Sequence, residues 1–510
     1  MLTRSATKPR VDSKATTKRS DGDRDSTNSR KKQGTNKPTG LKATTKRSDG
    51  NRVTKSSRKE QVSDLAGTRS TPPPISKPSE RWGSYEVVDP ARREKIRNIF
   101  KTGDWDFLCS EAVKCFRRHL PKQRRRKVND LSCNISHSKF ACGFKNVVLE
   151  VAFSDSTYWI VRIRFPDSEY GNEEDSEKGM HSEVATMRLL QKRTSIPVST
   201  IFGYDANQGN PFGYRYMFMS VLPGRPLKNI LAVSVPEQQQ AKIAEQLADI
   251  LHQLNTRMTF DKIGWIWCGE SGKEKPSIIA FNTLGAYQDE MVANLVGPFA
   301  TSLEYFYAVR QHENAAVRAC IHRGLLGRGE EERWYTACRA LEQMLTHIVL
   351  VEKVFGPFPL KHLDLHHNNI LVDDDFNITG IIDWTAAQTV PCESLPVGVE
   401  FVRAPRASEE LNAKIDAFCD VVQTAWREKE SEIECVCHVS RNWARNEVEF
   451  KCACSIVDIM GSARAELIHL FSTFGGVRRT LSYAEVVTPL LYGPEFTLDH
   501  FSNHWGGEPV

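Results

Sequence analysis

Residues 362–384 read HLDLHHNNILVDDDFNITGIIDW. Two acids and an amide surround a short apolar hairpin. The runs NNILV and ITGII are short strands, joined by the polar turn DDDFN. That hairpin can return Asp383 beside Asn369, while the loop before it sets Asp364 and Asn369 on neighbouring sides of one cavity. Phosphoryl transfer from a nucleotide is mostly positioning and charge neutralisation. It needs a carboxylate at the acceptor hydroxyl, a metal with oxygen ligands, and a cation on the phosphates. Asp364 is the candidate to orient the hydroxyl and accept its proton. Asn369 and Asp383 are the candidate magnesium ligands. His362 is expected to brace the loop by hydrogen bonds. His366, His367 and the acids Asp373, Asp374 and Asp375 are expected to be loop residues of no catalytic weight.

The pattern H-x-D-x-x-x-x-N, a short hairpin and then IIDW resembles the aminoglycoside phosphotransferase/choline kinase family, relatives of the protein kinases. The segments IPVSTIFGYD, HQLNT, FDKIGWI and GPF are similar to fungal members, and the resemblance spans roughly residues 130–400. It implies an α+β, two-lobed protein-kinase-like fold, with a small β-rich N-lobe and a larger α-rich C-lobe. It also implies ATP and Mg2+ as cofactors, and a small hydroxyl-bearing molecule as phosphate acceptor.

Such a fold needs a phosphate-facing cation on a strand and an acid on the next helix. The strand YWIVRIRF offers Arg162 and Arg164, which alternation puts on one face, so spacing does not separate them. Resemblance to the family's VRI form favours Arg162, where protein kinases use Lys. Glu183, in HSEVATMRLL, is the expected partner. The phosphate-covering loop falls in NISHSKFACGFKNVVLEV, with Gly143 as its one glycine. Amides from Ser138 to Lys145 are expected to cradle phosphate, and Asn146 fits the family's pattern. In MFMSVLPGRPL, backbone at Ser220 to Leu222 is the expected adenine contact.

The strands VVLEVAF, YWIVRIRF and YRYMFMSVL, with a helix over EEDSEKGMHSEVATMRLLQKR, predict a mostly antiparallel sheet with one inserted helix across 131–222. Helices are expected over DPARREKIRNIF and DWDFLCSEAVKCFRRHL before it. After it they are expected behind Pro236, around 300–324 and 331–355, and at 408–428 and 458–474. The organisation predicted is a disordered basic tail over 1–80, a helical lead-in and N-lobe over 81–222, and a C-lobe with a C-terminal extension over 223–510.

The tail has almost no large apolar residues and cannot offset its ordering entropy by burial. It holds 20 Lys and Arg against 8 Asp and Glu, out of 69 and 63 in the 510-residue chain, so the remainder is net acidic. KATTKRSDGDR at Lys14 returns as KATTKRSDGNR at Lys42. Duplicated low-complexity sequence is the simpler reading, and a polyanion-binding or nuclear-targeting tail the sharper one.

No run of about 18 apolar residues predicts a membrane span, and the N-terminus lacks a signal-peptide core. The 13 scattered cysteines suit free thiols in a reducing compartment, so a cytoplasmic and secondarily nuclear location is expected. Cys435, Cys437, Cys452 and Cys454 form CxC…CxC, for which a buried cysteine face is favoured over zinc. Two functions compete: an ATP-dependent small-molecule kinase, and a catalytically weak kinase-like binding or scaffold protein, to which the glycine-poor loop and the Arg-for-Lys exchange point.

Overall fold

The structure, a computed structural model, describes residues 77–82, 90–120, 130–143, 145–166, 173–227, 235–280, 297–324, 331–343, 345, 349, 351–394, 408–432 and 495–497. The basic tail before Lys77, the expected 458–474 helix and the four clustered cysteines from Cys435 to Cys454 lie outside these residues. The last residues assigned to the tail belong to the folded body: Pro78–Arg81 forms a 3-10 turn, and the Ser79 amide donates to the buried Glu150 carboxylate at 3.0 Å.

The sheet expected over 131–222 is antiparallel throughout. It contains β1 (Cys133–Ile135), β2 (Ala141–Cys142), β3 (Asn146–Phe153), β4 (Tyr158–Arg164), β5 (Ile201–Asp205) and β6 (Tyr216–Ser220), in the order β1-β3-β4-β6-β5 with β2 beside β3. Alternation decides its two faces. Val147, Leu149, Val151, Trp159, Val161 and Ile163 pack under the lead-in helices α1 (Pro90–Thr102) and α2 (Trp105–His119). Asp104 caps α2 by accepting the Phe107 amide at 2.9 Å. The opposite face carries Ile160, Arg162 and Met217, and meets α3 (Glu173–Arg193). The predicted stripe of α3, Met180, Val184, Met187 and Leu190, is buried there. Each such side chain contributes about 1.5–3 kcal/mol through burial.

Between sheet and C-lobe the chain crosses at residues 221–224. Its next strand, β7 (Arg225–Pro226), pairs with β12 (Ile370–Val372), which in turn pairs with β13 (Ile378–Ile381). Gly224 makes the crossing possible. Its φ of +90° is left-handed, and a Cβ there would meet the Val372 carbonyl at 2.6 Å. Behind the hairpin, α4 (Glu237–Arg257) buries Ile243, Leu247, Ile250, Leu251 and Leu254, the stripe expected after Pro236. It packs on α7 (Glu409–Glu432) through Phe418, Val422 and Trp426. One apolar core runs from α3 through α4 to Trp384.

The remaining elements are short strands and two helices. β8 (Thr259–Phe260) and β14 (Gln388–Thr389) flank β11 (Phe358–Lys361), and β9 (Trp265–Trp267) pairs with β10 (Ser277–Ile279). α5 (Ser302–His322) starts with a Thr301–Glu304 capping box. Of the helix expected over 331–355, α6 covers Glu331–Gln343, and Val351–Lys353 is a 3-10 turn. Gly356 and Pro357 follow, neither of which extends a helix. The architecture is the two-lobed, protein-kinase-like α+β fold. No described helix is long and apolar enough to cross a membrane.

Candidate active site

The loop from β11 to β12 carries Asp364 and Asn369, and the end of β13 carries Asp383. The two chain segments are stitched together by backbone and histidine. The Ile382 amide donates to the Asn369 carbonyl at 3.0 Å. His362 has one ring nitrogen 2.9 Å from the Ile382 carbonyl, while the other accepts the Asp364 amide at 3.2 Å. This assigns the neutral tautomer with Nε2–H donating to Ile382. His362 is buried and presents its ring to Trp384 edge-on, with centroids 4.6 Å apart.

Asn369 ties the acids together. Its amide nitrogen donates to the Asp364 carbonyl at 2.7 Å and lies 3.4 Å from that residue's carboxylate. Its side-chain oxygen is the end left for a ligand. A 3-10 turn over His367–Asn369 follows His366, whose Nδ1 accepts the Asn368 amide at 3.2 Å. The other ring nitrogen of His366 sits 3.5 Å from the Asp364 carboxylate. That contact escapes the sequence reading, which treats His366 as plain loop. The Asp364 side chain is 63% exposed, open to an acceptor molecule. Asp373 is structural as expected: it accepts the Asp375 and Asn377 amides at 3.0 and 2.8 Å and closes the β12–β13 turn.

The opposite wall comes from the sheet. Arg162 on β4 donates to Glu183 on α3 at 2.5 Å, and its second terminal nitrogen lies 3.9 Å from Asp383. Arg164 does not take this place: on the same face it lies two residues along, beside the Arg215 carbonyl, to which its amide donates at 3.0 Å. Burial opposes the charge on Arg162, and Glu183 followed by Asp383 reverses that effect and holds the guanidinium protonated. Burial likewise pushes the Asp383 carboxyl upward. Arg162, a Thr385 hydroxyl bond and Lys145 outweigh it, so its pKa falls below the ordinary aspartate value. Thr385 donates to Asp383 at 2.7 Å and stands 3.4 Å from Glu183. Thr385 is not marked by sequence reasoning, and Lys145 is marked only for its backbone amide. The TAA following the Asp-Trp pair and the lysine beside Asn146 are the only signals present.

Two expected nucleotide contacts change. Gly143, predicted to offer its amide to phosphate, donates it to the Asn146 carbonyl at 2.9 Å and so closes the β2–β3 turn. Asn146, the first residue of β3, is buried opposite Arg164. Ser138 directs its amide to the Ser136 hydroxyl at 3.4 Å. At the crossing, the Ser220 amide donates to the Thr200 carbonyl and its hydroxyl accepts the Thr200 amide, both at 2.8 Å. The amide of Ser220 is therefore committed to Thr200, the residue just before β5. Leu222 rests against Gly380 of β13, where a Cβ would meet its side chain at 2.8 Å.

The donor set fits a hard dication: an ionised carboxylate at Asp383 and an amide oxygen at Asn369. Among the described residues no group of three or more His, Cys, Asp or Glu side chains is placed to hold a metal.

Residues 139–391 match the phosphotransferase enzyme family. A curated relative, clavilactone A biosynthesis cluster protein Y of Ampulloclitocybe clavipes, is 26% identical over 254 residues, which are 47% of this chain and 57% of that protein. The chain thus spans little more than half the length of that relative. A macrolide 2'-phosphotransferase from Brachybacterium faecium superposes with a TM-score of 0.34 at 15% identity, over 72% of this chain and 97% of its own. The GDP complex of an aminoglycoside 2'-phosphotransferase gives 0.38 at 16% identity, over 75% and 96%. Through residues 139–391, just under half of its length, the chain is similar to the phosphotransferase enzyme family.

Proposed function

We propose that the protein transfers the γ-phosphate of ATP to a hydroxyl of a small molecule. The observation that carries this reading is Asn369. Its side chain holds Asp364, and its carbonyl holds the residue before Asp383. An acid for the acceptor and an acid for the metal are thereby fixed on either side of one amide.

In this reading Asp364 orients the acceptor hydroxyl and takes its proton as the oxygen attacks the γ-phosphorus and ADP leaves. Asn369 and Asp383 would hold Mg2+, which when bound neutralises charge on the nucleotide phosphates. Arg162, kept in place by Glu183, binds those phosphates through its planar fork. His362 keeps the loop and the Asp383 segment in register. A small-molecule acceptor is supported by the relative whose name places it in a clavilactone A biosynthesis cluster.

One observation favours the second reading, a catalytically weak kinase-like binding or scaffold protein. The Gly143 and Ser138 amides, expected on phosphate, are bonded within the chain.

Thermal shift with ATP, with and without magnesium, separates the two. The phosphotransferase reading expects magnesium-dependent stabilisation in the wild type that Asp383→Ala abolishes. Absence of that stabilisation in the wild type sinks it and leaves the scaffold reading. A screen of hydroxyl compounds then tests turnover, and transfer that persists unchanged in Asp364→Asn would remove Asp364 from its assigned role.

A further inference from the structure

Away from the candidate active site, two thiols meet between the lead-in helices and the sheet. Cys109 lies on α2 and Cys133 on β1, and both are half-buried free thiols. They are 24 residues apart in sequence, yet the Cys133 thiol reaches the Cys109 carbonyl at 3.4 Å.

Their environments differ. Hydrogen bonding from the neighbouring Cys133 thiol draws the Cys109 thiol below its ordinary range, with help from the Ile135 amide, against burial and the charge of Asp106. The same bond, then burial, pushes Cys133 upward. Of the two sulfurs, Cys109 is thus the more readily deprotonated, as suits the attacking member of a cysteine pair. The buried thiols Cys115, Cys268, Cys338 and Cys392 lack this solvent access.

We propose that Cys109 and Cys133 are a peroxide-oxidisable pair that closes into an intramolecular disulfide. The Cys109 thiolate attacks one oxygen of hydrogen peroxide, the O–O bond breaks, and hydroxide leaves, giving a sulfenic acid. The Cys133 sulfur then attacks that sulfenic sulfur. The S–O bond breaks, and the released hydroxide combines with the Cys133 proton as water. In sum, two thiols and one peroxide give one disulfide and two waters. The bridge ties α2 to β1, whose chain runs on into the 136–142 loop. That loop already leans on the lead-in helices, because His137 stacks on Phe100 with centroids 4.5 Å apart and lies 4.1 Å from Trp105.

The test uses the full chain, purified reduced, and reads a covalent product, so its outcome is independent of the phosphotransfer reading. The protein is treated with a small excess of hydrogen peroxide, alkylated, digested and mapped by mass spectrometry. The expected result is a Cys109–Cys133 linked peptide that dithiothreitol reverses, with a loss of two titratable thiols per chain. Cys133→Ser should leave Cys109 as a sulfenic acid that dimedone traps. Cys109→Ser should leave Cys133 unmodified. Peroxide that leaves both thiols alkylatable, or that links Cys109 to another cysteine, overturns the proposal. So does Cys133→Ser protein without a dimedone adduct on Cys109.

Discussion

Glu183→Gln tests the brace behind the proposed phosphate cation. The Glu183 side chain is 1% exposed and that of Arg162 11%, so the pair is withdrawn from water. Removing one member of a buried pair leaves a charge without its counterion, which costs about 3–5 kcal/mol. Two features place this substitution near the lower end. Glutamine still offers a neutral acceptor oxygen, and Asp383 stands 3.9 Å from the same guanidinium. A loss of about 3 kcal/mol in a folded body of this size corresponds to a melting point lower by roughly 5 °C. The assay is thermal unfolding at pH 7.5 and low salt, for Glu183→Gln, Arg162→Met and the double variant Arg162→Met/Glu183→Leu. The double variant should recover most of the loss, because apolar residues of similar volume need no counterion. The reasoning is refuted if Glu183→Gln melts within about 1 °C of wild type, or if the double variant melts below both single changes.

Thr385→Val removes a hydroxyl that donates to Asp383 at 2.7 Å while keeping the side-chain volume. The magnesium midpoint for nucleotide stabilisation should rise about tenfold, the equivalent of one charge-assisted hydrogen bond, and the metal-free melting point should move little. Burial lowers the pKa of His137 below the ordinary histidine value. Below that ordinary value the unfolded chain takes up a proton that the folded one refuses, so stability is present above it and lost as pH falls towards the folded pKa. Melting points should therefore drop between pH 7.5 and 5. His137→Phe, which keeps the stack on Phe100 and Trp105, should flatten part of that slope, and an unchanged slope would contradict it. Trp384→Phe keeps a ring against His362 but loses the indole donation to the Ile381 carbonyl, made at 3.0 Å. It should weaken magnesium-dependent nucleotide binding more than it lowers the melting point, and an equal effect on both would point to packing alone.

The parts legible in the sequence are those whose pattern repeats. α3 runs over the residues its stripe of Met180, Val184, Met187 and Leu190 marks out, because a 3.6-residue period over that length has no strand interpretation. β3 and β4 are equally plain from alternation. β5 is harder to see, since its pairing with β6 shifts register between Ile201 and Gly203 and breaks the period. β7 is two residues long and contains a proline, and only its partner β12 makes it a strand. Within the site, strand alternation narrowed the cation to Arg162 or Arg164, and Glu183 meets the former. Where the Gly143 amide points, and what Thr385 or His366 touches, depend on turns closed by tertiary neighbours. No periodicity encodes them.

The Asp-Trp pair shows why the two residues belong together. Asp383 has a φ of +60°, and Ala386 has +62°, so a tight turn reverses the chain directly after β13. A non-glycine residue held in this region costs about 1–3 kcal/mol and persists only where its surroundings over-determine it. Trp384 supplies that constraint. It is 1% exposed, its indole is tied to the Ile381 carbonyl, and its own carbonyl receives the Ala387 amide at 3.1 Å. The turn aims the carboxylate of Asp383 away from the strand direction and towards Arg162. The ring of Trp384 meanwhile backs His362, which holds both the Asp364 amide and the Ile382 carbonyl. One buried indole thus fixes the direction of the candidate metal ligand and supports the residue that fixes the candidate base. The bulky residue after Asp383 is accordingly a mechanical link between the segments that carry the two carboxylates.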